Sequence, residues 1–225
     1  NILDYLNLYG EEEGYKKDTE FEDFDISKNF SNLLNKKNTE LKKQLYEELN
    51  KKYSIKTISK NMTEPEKYTL TKKYMKEGVE CIENAFLVNK TEKKMGSCDF
   101  LIKINGSYRV SIVKYITIKK GKKENVLNTG SIKYYKCSIT FLNGVLEYMT
   151  KKKTDYGYLI GRGLEFNKIE NQYNEVIDNS MRFYMKLKDK KSFKIGENIF
   201  PNMSNKNDFP WHNAKKEISH NINEI

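Results

Sequence analysis

The sequence has 225 residues, a formal net charge of +10 at neutral pH and a pI of about 9.2. That length supports one good-sized domain, or one domain with an appendage. No apolar run approaches the roughly 18 residues a membrane span needs, and no signal peptide opens the chain, so a spanning or secreted protein is not expected. The basic excess points to a polyanionic partner, nucleic acid first and an acidic membrane surface second. The bland alternative is a lysine-rich composition inherited from an AT-rich genome. Lysines occur in many adjacent pairs and Arg is rare, which suits phosphate contact better than base reading. Cys81, Cys98 and Cys137 stand apart, with no CxxC and no Cys/His cluster. Zinc and iron–sulfur sites are therefore not expected, and the cysteine usage suits a reducing, cytoplasmic compartment. The opening residue is Asn rather than Met, which reads as a trimmed chain or a fragment.

Taken in order, residues 1–32 read as an acidic arm, with Glu11 to Glu13 and the stretch from Thr19 to Asp25 carrying much of the negative charge. Phe21, Phe24 and Phe30 would dock it, either as a solvated arm or as an acidic strand shielding a basic groove. Residues 33–77 read as a helical lead-in. Leu41, Leu45, Leu49 and Tyr53 recur every four residues, predicting a helix over Asn38 to Tyr53. A second helix is predicted from Thr63, with Glu66 completing a capping box and Pro65 in the first turn, to a stop at Gly78. Its Lys67, Lys72, Lys73 and Lys76 either face nucleic acid or form a wet face.

Residues 78–225 read as the core, a mixed α/β fold with a central sheet flanked by helices. Val79 to Val88 predicts one or two short strands carrying Glu80 and Glu83. Two strand-forming runs follow, from Asp99 and from Tyr108 to about Lys114, joined by Asn105-Gly106, the strongest short hairpin signal. A hairpin brings the start of the first run and the end of the second to one end of a sheet, so Asp99 and Lys114 can lie side by side. A carboxylate there could hold Mg²⁺, and an ammonium could stabilise charge on a phosphate or orient a water. Beyond Lys114 comes a basic loop with Lys119, Lys120, Lys122 and Lys123, placed to hold a nucleic-acid backbone or to be an ordinary solvated tip. Further helices are predicted over Ser131 to Met149 and Asn171 to Leu187, the latter with Val176, Ile177, Met181, Tyr184 and Leu187 inward. A Tyr-rich strand, Asp155 to Gly163, lies between them. Asp208 is expected to cap a last helix with Trp211, Ala214, Ile218 and Ile222 as its stripe.

The strand that opens on Asp99, the Lys114 at the end of the next, the helix from Ser131, the DYGYLIGRG strand and the closing helix together resemble the RecB-like branch of the PD-(D/E)xK nucleases. That branch includes lambda-exonuclease-like and YqaJ-type viral recombination nucleases, and the sequence more specifically resembles a group of such proteins in giant DNA viruses. The resemblance covers about two-thirds of the chain, Gly78 to Ile225. It implies a restriction-endonuclease-like core and a Mg²⁺- or Mn²⁺-dependent DNA nuclease serving viral recombination, repair or defence. For a viral chain it implies a viral factory or virion. It also implies backbone contacts to DNA, and homo-oligomers as in related rings and dimers. Residue by residue, Asp99 matches the first metal-binding acid, Lys114 the catalytic lysine, and Val113 the position whose carbonyl helps hold the metal.

The pattern departs at Ile112, where the second acid should stand, and at Ser138, where a glutamine is usual. The upstream histidine is missing, His212 and His220 being in the last helix, as are the four cysteines of iron–sulfur members. One carboxylate and one carbonyl under-charge a Mg²⁺ site. So either Glu83 (the preferred surrogate acid) or Glu80 moves in, or catalysis is lost and the fold remains as a DNA-binding or structural module. A third reading is a basic scaffold packed against nucleic acid.

Overall fold

The computed structural model describes residues 2–18, 26–122, 124–187 and 210–223. The described elements are α1 (Ile2–Tyr9), α2 (Ile26–Asn50), β1 (Ile55–Thr57), α3 (Glu64–Glu77), β2 (Cys81–Glu83), β3 (Phe86–Asn89), β4 (Lys94–Ser97), β5 (Phe100–Ile104), β6 (Ser107–Val113), α4 (Ile132–Thr150), β7 (Tyr156–Ile160), β8 (Phe166–Glu170), α5 (Asn174–Leu187) and α6 (His212–Asn223). They fall into two compact units, Lys28–Ile177 and a smaller one combining Asn1–Ser27 with Asp178–Ile225.

The larger unit is the expected mixed α/β fold. Its sheet has six strands in the order β1-β2-β5-β6-β7-β8. Asn105 (φ 50°) and Gly106 (φ 76°) are both left-handed, as the two central residues of a tight hairpin turn must be, and they pair Ile104 with Ser107 across β5 and β6. β6 and β7 are parallel, so the chain must cross over between them, and α4 is that crossover.

Strand alternation sends side chains to two helical layers. Phe100, Ile102, Val113 and Ile160 form a core with Leu41, Leu45 and Leu49 of α2. Burying each of those leucines stabilises by about 1.5–3 kcal/mol relative to leaving it in water. On the opposite face Leu101, Val110, Ile112 and Leu159 share a core with Ile139, Leu142 and Val145 of α4. Leu70, Tyr74 and Met75 of α3 pack against the same core, and so does Leu87 of the two-stranded β3-β4 sheet.

Helix α3 matches its predicted ends: the Glu66 carboxylate accepts from the Thr63 N–H at 2.8 Å and the Thr63 hydroxyl at 2.7 Å, and Gly78 closes it with φ 75°. Other expectations need correction. α2 begins at Ile26 rather than Asn38. β1, β4 and β8 are additional strands; β8 is hard to see in the sequence because its inner face carries the polar Asn167 beside Ile169. Val176 of α5 is 45% exposed rather than inward. Phe21, Phe24, Asp208 and Lys123 lie outside the described residues, as do the side chains of Phe30, Tyr184, Leu187 and Ile222.

The smaller unit changes the expected domain division, because the closing helix packs with the N-terminal segment. Trp211, Ala214 and Ile218 share a core with Ile2, Tyr5 and Leu6 of α1, a helix where the sequence suggests only an acidic arm. Asp18 caps α6: its carboxylate accepts from the His212 N–H at 2.8 Å and the Asn213 N–H at 3.3 Å.

All three cysteines are free. Burial raises the thiol pKa of Cys81 to about 12 and pushes Cys98 up as well, whereas Cys137 is only half-buried. A thiolate-selective reagent added to the native protein is therefore expected to modify Cys137 alone. Three fast-reacting thiols in a colorimetric titration would contradict this placement.

Candidate functional site

Asp99, Val113, Lys114 and Glu83, the residues singled out from sequence, lie at the end of the sheet where β5 begins and β6 ends. Asp99 occupies the bend before β5, and its backbone N–H donates to the Ser111 carbonyl at 3.1 Å. Both oxygens of its carboxylate are engaged. Oδ2 accepts from the Val113 N–H at 2.7 Å, and Oδ1 lies 2.5 Å from the Lys42 ammonium on α2. The two side chains, Lys42 and Asp99, are 26% and 16% exposed, so this pair is more shielded than an ordinary surface contact. Sequence reasoning missed Lys42, which sits on the polar side of the leucine stripe and is brought to Asp99 only when α2 packs on the sheet.

Lys114 is at the same end but engaged elsewhere. Its backbone N–H donates to the Ile160 carbonyl at 3.0 Å, and its ammonium stands 5.6 Å from the centre of the Tyr135 ring on α4. The expected side-by-side pair of Asp99 and Lys114 is therefore replaced by two separate contacts, Asp99 with Lys42 and Lys114 with Tyr135. Lys114 reaches to Tyr135 of α4, whereas the Asp99 carboxylate is held by Lys42 of α2.

Glu83, the surrogate acid expected from the sequence, ends β2 and pairs in register with Phe100, while the Asn84 N–H donates to the Asp99 carbonyl at 2.9 Å. Its backbone thus adjoins that of Asp99, but its carboxylate accepts from the Thr57 hydroxyl of β1 at 2.8 Å. Glu80 is committed to the Ser54 N–H at 2.8 Å. Ile112, in the position of the second acid, is 7% exposed within the α4-side core. Ser138 is exposed and its hydroxyl donates back to the Tyr134 carbonyl of its own helix at 3.0 Å. Among the described residues no three His, Cys, Asp or Glu side chains converge in a metal-binding group.

The residues present do not suit Mg²⁺, a hard cation that wants carboxylate oxygens. The Asp99 carboxylate already has an ammonium and an amide on it, and the adjoining position is hydrocarbon. Lys42→Met is expected to leave that shielded carboxylate with one donor only and to cost about 1.5–3 kcal/mol, the range for a charge-assisted hydrogen bond. Urea unfolding checks this, and an unchanged midpoint would mean the pair contributes nothing.

The basic loop is partly neutralised. Lys120 lies 3.4 Å from both Glu124 and Glu165, and hydrogen bonds to these two carboxylates raise its pKa above the usual lysine value. Lys119 and Lys122 are exposed. The Lys136 ammonium, buried in α4, donates to the Val126 carbonyl at 2.5 Å and ties down the return of the loop.

A row of polar groups lies on the α2 face of the sheet. The Arg109 guanidinium stacks 4.2 Å from the centre of the Tyr156 ring, and its Nε and Nη1, like Ser111 Oγ, are buried without a hydrogen-bond partner. Burial pushes the neighbouring Tyr158 phenol up to about 12, with the Tyr156 hydrogen bond adding to it, so Tyr158 stays neutral at physiological pH. Among the described residues no helix is long and apolar enough to cross a membrane. Compared with protein-family models and with curated proteins, the chain matches none.

Proposed function

We propose that this chain is a nuclease-type fold that binds nucleic acid through backbone phosphates without hydrolysing it. The observation that carries this reading is the seating of Lys42 on Asp99. An ammonium from α2 supplies there the positive charge that a metal ion would supply in an active nuclease of the kind the sequence resembles. The buried Ile112 and the engagement of Glu83 with Thr57 support the same reading. The net charge of +10 and the exposed Lys119 and Lys122 support a polyanionic partner.

The second reading is a Mg²⁺-dependent deoxyribonuclease, with Asp99 and the Val113 carbonyl as metal ligands, Glu83 as surrogate acid and Lys114 as the catalytic lysine. It is favoured by one observation, that the Glu83 and Asp99 backbones adjoin at the Lys114 end of the sheet. It requires Lys42 to leave Asp99 and Glu83 to leave Thr57.

Fluorescence anisotropy with labelled oligonucleotides of unrelated sequence tests the binding claim. The expected result is similar affinity for each sequence and a linear fall of log affinity with log salt, with a slope of about −0.7 to −0.9 per phosphate engaged. Affinity that is absent at low salt, or that does not respond to salt, would count against the proposal.

A further inference from the structure

At the far end of β5 from Asp99 the surface carries an open pocket of about 420 Å³. β5 has five residues, so the two ends of the sheet stand about 17 Å apart at roughly 3.3 Å per residue. The rim carries Lys72 and Lys76 of α3, Lys103 of β5, and Lys152 and Lys153 just past α4; the floor is formed by Met75, Tyr108 and Met149. The nearby acids do little to balance this charge. Asp155 takes Lys153 at 3.0 Å, Glu77 faces Lys73 at 3.9 Å, and Glu147 is turned to the Thr154 N–H at 3.3 Å. Among the described residues Lys72, Lys76, Lys103 and Lys152 have no ion-pair partner.

Ordinary structural roles explain only part of the cluster. A lysine in the last turn of a helix complements the helix dipole, and Lys76 does so in α3. Lys72 stands a turn earlier, and Lys152 and Lys153 lie beyond α4. Lys103 is half-buried in a strand, where an unpaired ammonium bears a desolvation cost. Cations converging on an apolar floor match an anion joined to a flat apolar body.

We infer that this pocket binds one phosphate-bearing nucleotide, the phosphates on the lysine rim and the base over the Met75, Tyr108 and Met149 floor. Its volume is within the roughly 300–1,000 Å³ of small-ligand sites. The nucleotide could be the end of a strand or a free nucleoside triphosphate, and the recognised chemistry is the same. In its strand-end form the inference rests on the nucleic-acid reading above.

The test uses the full chain, the variant Lys72→Glu/Lys152→Glu at two exposed positions, the milder Lys103→Gln, and, as a control, Lys36→Glu/Lys60→Glu at exposed lysines outside both the pocket lining and the basic loop. Binding of a labelled single strand, of a nucleoside triphosphate and of tripolyphosphate is measured across a salt series, with circular dichroism to confirm folding. Lys72→Glu/Lys152→Glu is expected to weaken at least one nucleotide ligand about tenfold or more and to flatten the salt slope by about 0.7 for each phosphate no longer engaged. Lys103→Gln is expected to weaken the same ligand by less, and the control should leave it unchanged. Weakening confined to the strand identifies a strand end; weakening confined to the triphosphate, in a protein that binds no strand, keeps the pocket and defeats the nucleic-acid reading. Strand binding that all pocket variants retain at full strength, with no triphosphate binding, overturns the pocket and leaves the nucleic-acid reading standing. An effect on tripolyphosphate alone, with neither nucleotide ligand bound, also overturns it.

Discussion

Ile112→Asp is expected to lower stability by about 3–5 kcal/mol, the cost of an uncompensated charge in a protein interior. Ile112 is 7% exposed and shares its core with Val110, Ile139 and Leu159. A carboxylate there gains no hydrogen-bond partner, and the isoleucine packing is lost as well. Urea unfolding would read this as a large fall in midpoint. This substitution introduces the acid that the nuclease pattern resembled by the sequence has at this position, so its result bears on the proposed function too. A cost below about 1 kcal/mol would mean that an acid is tolerated at this position. A two-carboxylate metal site would then be one substitution away, and the burial of position 112 would not explain why an isoleucine stands there.

Trp211→Ala should be as damaging, for the smaller unit. Trp211 is 1% exposed, and its indole N–H donates to Asn7 at 2.7 Å. Gly10 comes so close to the ring that an added Cβ would fall 2.7 Å from it, so the fit leaves no spare room. Truncating a buried tryptophan costs about 3–5 kcal/mol, and this core has only six fully buried members among the described residues. Loss of the helical dichroism of α1 and α6 well below the wild-type melting temperature is the expected result. An alanine variant that melts at the wild-type temperature would contradict the packing described. Trp211 is the sole tryptophan, so in the wild type its fluorescence follows this unit alone.

Local signals in the sequence account for the elements that are legible in it. Thr63, Pro65, Glu66 and Gly78 define α3 by themselves, because caps act within a turn. Asn105-Gly106 defines the β5-β6 hairpin for the same reason. Helix α1 carries an apolar stripe at Ile2, Tyr5 and Leu6, but the acidic run just after it is the stronger signal and masks it. β1 is too short at three residues to show an alternation. At the candidate site, Asp99 is visible because it opens a strand. Its partner is not, since a lysine on a helix surface carries no mark of what that surface meets. The lysine pocket is illegible for the same reason, being assembled from α3, β5 and the segment after α4.

The central claim is that Lys42, rather than a metal ion, answers the charge of Asp99 and that the fold binds nucleic acid without cutting it. Incubation of end-labelled linear DNA with Mg²⁺ or Mn²⁺ tests it most directly, comparing the wild type with Asp99→Ala and Lys114→Ala. The account predicts intact DNA in all three, with salt-sensitive binding preserved. Metal-dependent cleavage by the wild type that disappears in both variants would contradict it and establish an active nuclease in spite of Ile112.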